Sequence, residues 1–126
     1  MQYQTILHID DDEDDQEIFL AALHQITRDI QYMPLDSAVD ALEKLRIQKL
    51  TADLIFLDLN MPEMNGQQFL LELKRSEQLK HIPVIILSTS AHKPTISLMK
   101  ELGAHDFITK PDDFTELINQ LRNVLT

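Results

Sequence analysis

Four short apolar runs rich in β-branched residues constrain the fold of this chain more than any other feature. They are TILHI at 5–9, LIFL at 54–57, VIIL at 84–87 and DFIT at 106–109, with a weaker fifth run, IQYM, at 30–33. Strands that are apolar along their whole length are buried on both faces, as in a parallel sheet covered by helices. The runs therefore predict a parallel β-sheet.

The segments between these runs carry apolar residues at the three- and four-residue spacing of one helix face. The pattern is clear at Phe19, Ala22, Leu23 and Ile26, and it recurs in segments that begin at Ala38, Phe69, Ile96 and Phe114. One helix thus follows each strand, five times over. This order predicts an α/β fold in a single domain that spans residues 1–126.

Polar side chains follow the four stronger strands at the points where the strands end. The carboxyl ends of parallel strands joined by right-handed crossovers meet at one edge of the sheet, where ligands bind. We therefore expect acids, hydroxyls and a cation to converge there: Asp10 and Asp11, then Asp58, then Ser88 and Thr89, then Lys110.

The run of six acidic residues at 10–15 needs compensation for its charge. Two like charges about 4 Å apart repel by roughly 4 kcal/mol at an effective dielectric constant near 20. We interpret residues 12–15 as the first turn of the first helix, where the helix dipole favours negative charge. His8, in the preceding strand, is interpreted as a packed and hydrogen-bonded core residue, because no second histidine shows the spacing of a metal ligand.

Composition excludes several classes of protein. The 126 residues carry a net charge of −10, which argues against nucleic-acid binding through clustered Lys and Arg. The absence of cysteine rules out disulfides and thiolate metal sites. The longest apolar run, at 18–23, is too short to span a bilayer, and the first residues lack the basic start of a signal peptide. We therefore expect a cytoplasmic protein with no membrane or nucleic-acid partner.

Four motifs in this order resemble the receiver domain of two-component response regulators, over essentially the whole chain. The motifs are ILHIDDD at 6–12, LIFLDLNMPEMNG at 54–66, IPVIILST at 82–89 and DFITKP at 106–111. Each is weak alone, and their structural context makes them specific. The resemblance implies a flavodoxin-like doubly wound sheet of strand order 2-1-3-4-5.

The resemblance further implies that Asp58 takes a phosphoryl group from a sensor histidine kinase or a histidine phosphotransfer protein. Lys110 would contact one phosphoryl oxygen, and the Ser88 hydroxyl would donate a hydrogen bond to another. Phosphoryl transfer depends mainly on positioning and on neutralising charge. We therefore expect that the chain is not an enzyme. We expect a phosphoacceptor that assists its own phosphorylation and dephosphorylation.

Mg²⁺ is the cofactor that the resemblance implies. Asp11 and Asp58 are expected as direct ligands, and Asp10 is expected to act through water. The backbone carbonyl of Asn60 would complete the protein's share. These groups match the preference of Mg²⁺ for carboxylates, carbonyl oxygens, water and a substrate phosphate.

Ser88 and Phe107 are the switch residues that the resemblance implies. Their movement would reshape the face formed by the fourth helix, fifth strand and fifth helix, which would bind a downstream protein. Phe107 stands where chemotaxis receivers have Tyr, and Thr89 stands where a small residue is usual. Since the chain ends with the fifth helix, we expect a stand-alone receiver.

Two local features complete the expectation. The resemblance implies a cis peptide bond between Lys110 and Pro111. Pro62 and Gly66 are expected to shape the loop after the third strand, because Pro fixes φ and Gly permits positive φ.

Two other functions compete with the phosphoacceptor. A haloacid-dehalogenase-type phosphatase would use Asp10 and Asp12 in a D-x-D pattern after the first strand, but it normally needs a cap insertion to exclude water. A receiver-like interaction module that takes no phosphate would have no need to keep acids, a hydroxyl and a lysine together. The residue that carries an acyl phosphate discriminates the three.

Overall fold

The protein is described here by a computed structural model, which covers residues 3–59, 61, 64–89 and 92–126. Over these residues, strands and helices alternate along the chain as the sequence predicts. The strands are β1 (Thr5–Ile9), β2 (Gln31–Leu35), β3 (Leu54–Asp58), β4 (Val84–Ser88) and β5 (Asp106–Thr109). The helices are α1 (Glu13–His24), α2 (Ala38–Arg46), α3 (Gly66–Arg75), α4 (Lys93–Glu101) and α5 (Phe114–Leu125).

The strands form one parallel sheet in the order β2-β1-β3-β4-β5. The flavodoxin-like topology is therefore confirmed. β1 and β5 begin and end where the apolar runs do, whereas β3 and β4 each extend by one residue, to Asp58 and Ser88. Two of the polar residues expected just beyond the strands thus belong to the sheet itself, whose hydrogen bonds fix their backbones.

Helices cover both faces of the sheet, and each face has its own apolar cluster. One cluster combines β-strand residues with Ala41 of α2, Phe69 of α3 and Met99 of α4. The other packs Phe19 of α1 and Leu121 of α5 against the opposite face. The central strands β3 and β4 are buried along their whole length, which explains why their sequences are apolar without alternation.

Polar caps fix the helix ends nearest the sheet edge. Asp12 caps α1 by accepting hydrogen bonds from the N–H groups of Asp14 and Asp15, so the acidic run does open a helix. Asn65 and Gln68 form a capping box at the start of α3. No described helix has the length and apolar character needed to cross a membrane.

Glycine acts differently at its two positions. Gly103 follows α4 with φ of 109°, as expected of a residue that ends a helix in the left-handed region. Gly66 has no positive φ, so the expectation that it supplies one is wrong. A Cβ atom on Gly66 would instead lie 2.6 Å from the carbonyl oxygen of Asp58. This close approach is the physical reason for glycine there.

Candidate functional site

Three carboxylates meet at the carboxyl edge of the sheet. Asp10 follows β1 directly, Asp11 is its neighbour, and Asp58 is the last residue of β3. One oxygen from each lies within 4.8 Å of the other two. Asp10 and Asp58 are buried, whereas Asp11 is exposed. The structure thus brings together the three acids that the sequence analysis assigned to a metal.

Lys110, directly after β5, lies among carboxylates. Its Nζ is 2.9 Å from Asp15 Oδ2, 3.1 Å from Asp10 Oδ2 and 3.8 Å from Asp58 Oδ1. Burial by itself lowers the pKa of Lys110, but the hydrogen bond to Asp15 and the charges of Asp10 and Asp58 outweigh it, so the pKa is raised. The residue therefore supplies a fixed positive charge beside Asp58.

The peptide bond between Lys110 and Pro111 is trans, because no described peptide bond is cis. The cis bond implied by the family resemblance is therefore wrong for this structure. The trans chain still directs the ammonium to the carboxylates, since the N–H of Lys110 donates a 2.7 Å hydrogen bond to the carbonyl of Ser88. That bond continues the β4–β5 pairing by one residue and fixes where the lysine side chain starts.

Asp10 is the most enclosed of the acids. Its Oδ1 accepts a 3.0 Å hydrogen bond from the N–H of Asp12, and its Oδ2 pairs with Lys110. Burial raises the pKa of Asp10, and the Asp12 N–H and the Lys110 charge offset that effect only in part. A carboxylate that is disfavoured by burial gains from any further cation nearby.

Ser88 and Phe107 lie on the two strands beyond β3. Ser88 is the last residue of β4, is 1% exposed and pairs with Thr109 of β5. Phe107 pairs with Ile86, is half-buried and packs against the cluster on the α2, α3 and α4 side. Thr89 is exposed. The remaining predicted ligand, Asn60, lies outside the described residues, as does Pro62.

His8 lies beneath Asp10 in the core, which agrees with its interpretation as a packed residue. Its ring stacks on Phe19 with centroids 4.3 Å apart, and its Nδ1 is 2.7 Å from the hydroxyl of Tyr32. The Nε2 atom is 3.7 Å from Asp10 Oδ2 and makes no hydrogen bond within the described part of the chain. Burial, helped by the charge of Lys110, lowers the pKa of His8 to about 3, so the imidazole is neutral.

Asp15 is the site residue that the sequence analysis missed. It was assigned only to the acidic first turn of α1, which is correct for its backbone. Its carboxylate also pairs with Lys110, a residue 95 positions away. The local signal of a helix N-terminus could not reveal this contact, because it depends on how α1 packs against the sheet and the segment after β5.

The donor atoms suit a hard divalent cation. All three clustered side chains offer carboxylate oxygens, the ligand type that Mg²⁺ and Mn²⁺ prefer. Lys110 adds an ammonium 3.8 Å from Asp58 Oδ1. Such an arrangement can neutralise the equatorial oxygens of a phosphoryl group on Asp58.

Comparisons with known proteins agree with this geometry. Response regulator Rcp1 of Synechocystis is 28% identical over 96% of this chain and 86% of its own length. The Mn²⁺-bound form of Rcp1 matches the fold with a TM-score of 0.86, at 27% identity over 96% of this chain and 91% of that one. A phosphorylated cyanobacterial phytochrome response regulator, RcpA, matches with a TM-score of 0.88, at 28% identity over 97% and 91% of the two chains.

A more local match is to the protein-glutamate methylesterase/protein-glutamine glutaminase of Treponema denticola. The two sequences are 54% identical over 74 residues. The matched segment is 56% of this chain and 18% of the length of that protein. The family model for the response regulator receiver domain matches residues 6–122. The chain therefore belongs to the family of response regulator receiver domains of two-component signalling.

Proposed function

We propose that this receiver domain is a phosphoacceptor, in which Asp58 takes a phosphoryl group from a sensor histidine kinase or a histidine phosphotransfer protein. The observation that carries the proposal is the meeting of three carboxylates with the Lys110 ammonium at one edge of the sheet. Lys110 offsets part of the negative charge of these acids, and the clustering of three carboxylates beside a half-buried ammonium is the arrangement that phosphoryl transfer needs.

In the transfer, a carboxylate oxygen of Asp58 forms a bond to phosphorus as the bond from phosphorus to the donor histidine nitrogen breaks. The electron pair of the broken bond stays on the imidazole nitrogen of the donor. Lys110 donates hydrogen bonds to the phosphoryl group, and Ser88, on the neighbouring strand, offers its hydroxyl to another phosphoryl oxygen. The side chain of Asp58 is 12% exposed, so its carboxylate, the nucleophile in this step, borders the solvent from which a phosphoryl donor approaches.

Asp10, Asp11 and Asp58 fit a divalent cation, and the backbone carbonyl of Asn60 is the further ligand that the family resemblance implies. When bound, the cation supplies positive charge that offsets the phosphoryl oxygens. We propose Mg²⁺ as this cation, and the Mn²⁺ in Rcp1 supports a divalent ion in the same family. The chain's own residues then act as a phosphoacceptor that assists its own phosphorylation and dephosphorylation.

The output surface that we propose is formed by α4, β5 and α5. Leu98 of α4 and Phe114 of α5 are 38% and 41% exposed and supply apolar area to this surface. Phe107 lies on the strand between these helices and is half-buried. A change in its packing would alter the apolar surface that a downstream protein contacts. The cytoplasmic location expected from the sequence stays a prediction.

The structure disfavours a phosphatase that uses Asp10 as its nucleophile. Asp10 is fully buried, and both of its carboxylate oxygens already accept hydrogen bonds. Asp12 is committed to capping α1. The D-x-D pair is therefore occupied by structural contacts, and Asp58 remains the better acceptor.

The test is to map the acyl phosphate. The protein is treated with acetyl phosphate and Mg²⁺, trapped with borohydride or hydroxylamine, and analysed by peptide mass spectrometry. We expect label on Asp58, its loss in Asp58→Asn and its reduction by a chelator. Label on Asp10 that persists in Asp58→Asn would support the phosphatase instead. The absence of label from every aspartate would support a module that takes no phosphate.

A further inference from the structure

The ammonium of Lys110 lies closer to Asp15 than to the proposed phosphoacceptor. The Nζ to Oδ2 distance is 2.9 Å for Asp15, against 3.8 Å from Nζ to Asp58 Oδ1. The Lys110 side chain is 18% exposed and that of Asp15 is 37% exposed, so the pair is partly shielded from solvent. Charge-assisted hydrogen bonds of this length are among the stronger ones in proteins.

Asp15 is held in this position by the helix that carries it. Its backbone N–H points to the Oδ1 of Asp12, the cap of α1, and its carboxylate leaves the first turn toward β5. Asp14, one residue earlier, is exposed, and its backbone N–H donates to the same Asp12 oxygen. Of these two adjacent acids of one turn, Asp14 is the more exposed, and Asp15 is the one paired with the lysine in the described structure.

Lys110 lies within reach of three carboxylates, since its Nζ is 2.9 Å from Asp15, 3.1 Å from Asp10 and 3.8 Å from Asp58. A cavity of about 100 Å³ borders the lysine on the side of Asp10 and Asp15. A long flexible side chain bordering such a space can exchange one oxygen partner for another without moving the backbone. Its backbone N–H meanwhile stays bonded to Ser88.

We propose that Asp15 is a positioning residue that holds Lys110 on the α1 side of the site and competes with a phosphoryl group on Asp58 for the ammonium. This inference rests on the proposed function, because it concerns how readily Asp58 gains and keeps the phosphoryl group. Replacing the anion at residue 15 by a neutral amide weakens the competing contact. Asp10 alone then holds the ammonium, which turns to the phosphoryl oxygens more readily.

The experiment compares wild type with Asp15→Asn and with Asp14→Asn, which removes the same charge from the same turn. Two quantities are measured in Mg²⁺: the rate of labelling of Asp58 by acetyl phosphate, and the apparent affinity for beryllofluoride from ¹H–¹⁵N NMR spectra. We expect Asp15→Asn to raise both by about two- to tenfold, the range of a partly shielded charged contact. Asp14→Asn should match wild type.

A spectroscopic measurement separates a contact with Lys110 from a general effect on the fold. The side-chain ammonium signal of Lys110 should be equally protected from exchange in wild type and Asp14→Asn. Its protection should fall in Asp15→Asn, where only the Asp10 contact remains. In a Lys110→Gln background, the further change Asp15→Asn should not raise beryllofluoride affinity. Thermal melting of each variant checks that the fold is kept.

Equal labelling and affinity in Asp15→Asn and Asp14→Asn would overturn the role of Asp15 while leaving the phosphoacceptor intact. A gain from Asp15→Asn that persists in the Lys110→Gln background would also overturn it, because the effect would not pass through the lysine. A wild-type protein that takes no label on Asp58 would instead overturn the proposed function, and the role of Asp15 with it.

Discussion

The backbone of Gly66 approaches Asp58 so closely that a Cβ atom on residue 66 would lie 2.6 Å from the Asp58 carbonyl oxygen. The same atom would lie 2.7 Å from the Cα of Leu59, whose carbonyl accepts a 2.9 Å hydrogen bond from the Gly66 N–H. Both contacts are with backbone, which cannot give way without displacing the end of β3. The start of α3 therefore helps to fix the position of the proposed phosphoacceptor.

Gly66→Ala is expected to lower the free energy of unfolding by about 1–3 kcal/mol, the usual cost of forcing an extra carbon into a packed region. It should also weaken beryllofluoride binding, because relief of the contact moves Asp58. Urea denaturation and NMR titration measure the two effects.

Gly103→Ala is the matched control for this change. Alanine is unfavourable at this position because φ is 109° and because its Cβ would lie 3.2 Å from side-chain carbons of Lys74. Gly103 lies in the loop before β5, at the opposite edge of the sheet from Asp58. Both variants should lose stability, but only Gly66→Ala should lose affinity for the mimic. Normal affinity in Gly66→Ala would mean that the contact does not position Asp58.

Asp11→Asn is expected to lower Mg²⁺ affinity by at least about tenfold, since even indirect supports of metal sites are worth about 10- to 100-fold. In the presence of a chelator the same variant should melt at a higher temperature, because one of three mutually repelling carboxylates has become neutral. Glu13→Gln, a nearby exposed acid outside the three-carboxylate cluster, is the control. A lower melting temperature of metal-free Asp11→Asn would contradict the prediction.

His8 should make the fold less stable in acid. Its pKa is about 3 in the folded protein and 6.5 as an ordinary reference, so between these pH values the unfolded chain binds a proton that the folded protein does not. The free energy of unfolding should therefore fall with decreasing pH by up to about 1.4 kcal/mol per unit from this residue. Above pH 6.5 the imidazole is neutral in both states and contributes no slope.

His8→Phe keeps an aromatic ring against Phe19 and removes the titrating nitrogens. Urea denaturation of both proteins between pH 4 and 8, in chelator, gives the two stability curves. Below pH 6 the free energy of unfolding of wild type should fall more steeply with decreasing pH, by an amount that corresponds to nearly one additional bound proton in the unfolded chain. The variant also loses the hydrogen bond to Tyr32, but this loss lowers its stability at every pH and does not change the slope. Parallel curves would show that His8 is protonated equally in the folded and unfolded states.

Phosphorylation of Asp58 should couple the packing of Phe107 to the hydroxyl of Ser88. We expect Ser88 to move toward the phosphoryl oxygens, and Phe107, which is half-buried, to turn inward. A ligand shifts such an equilibrium only by its differential affinity for the two states, so the Ser88 contact must favour the inward ring. NMR signals of the Phe107 ring, with and without beryllofluoride and Mg²⁺, report the change.

Ser88→Ala should abolish this ring shift. Thr89→Ala, which removes an exposed hydroxyl one residue later, should retain it. A ring shift of the same size in wild type and Ser88→Ala, or no shift in either, would mean that Ser88 does not transmit the signal.

The order of strands and helices could be predicted because its causes are local. A short stretch of sequence is enough to recognise an apolar run that will be buried on both faces. It is also enough to recognise the helical spacing of apolar residues between such runs. β1 and β5 were located residue for residue, and the parallel sheet then placed Asp10, Asp58, Ser88 and Lys110 at one edge. The family motifs added the roles that we propose for these residues.

Contacts between distant residues were decided by the tertiary structure alone. Asp15 meets Lys110 across 95 positions, and His8 meets Tyr32 across 24. The need for glycine at residue 66 comes from the backbone of Asp58, not from φ, and the bond before Pro111 is trans. Such features depend on distances set by helices packing on a twisted sheet, and a local pattern of residues carries no information about those distances.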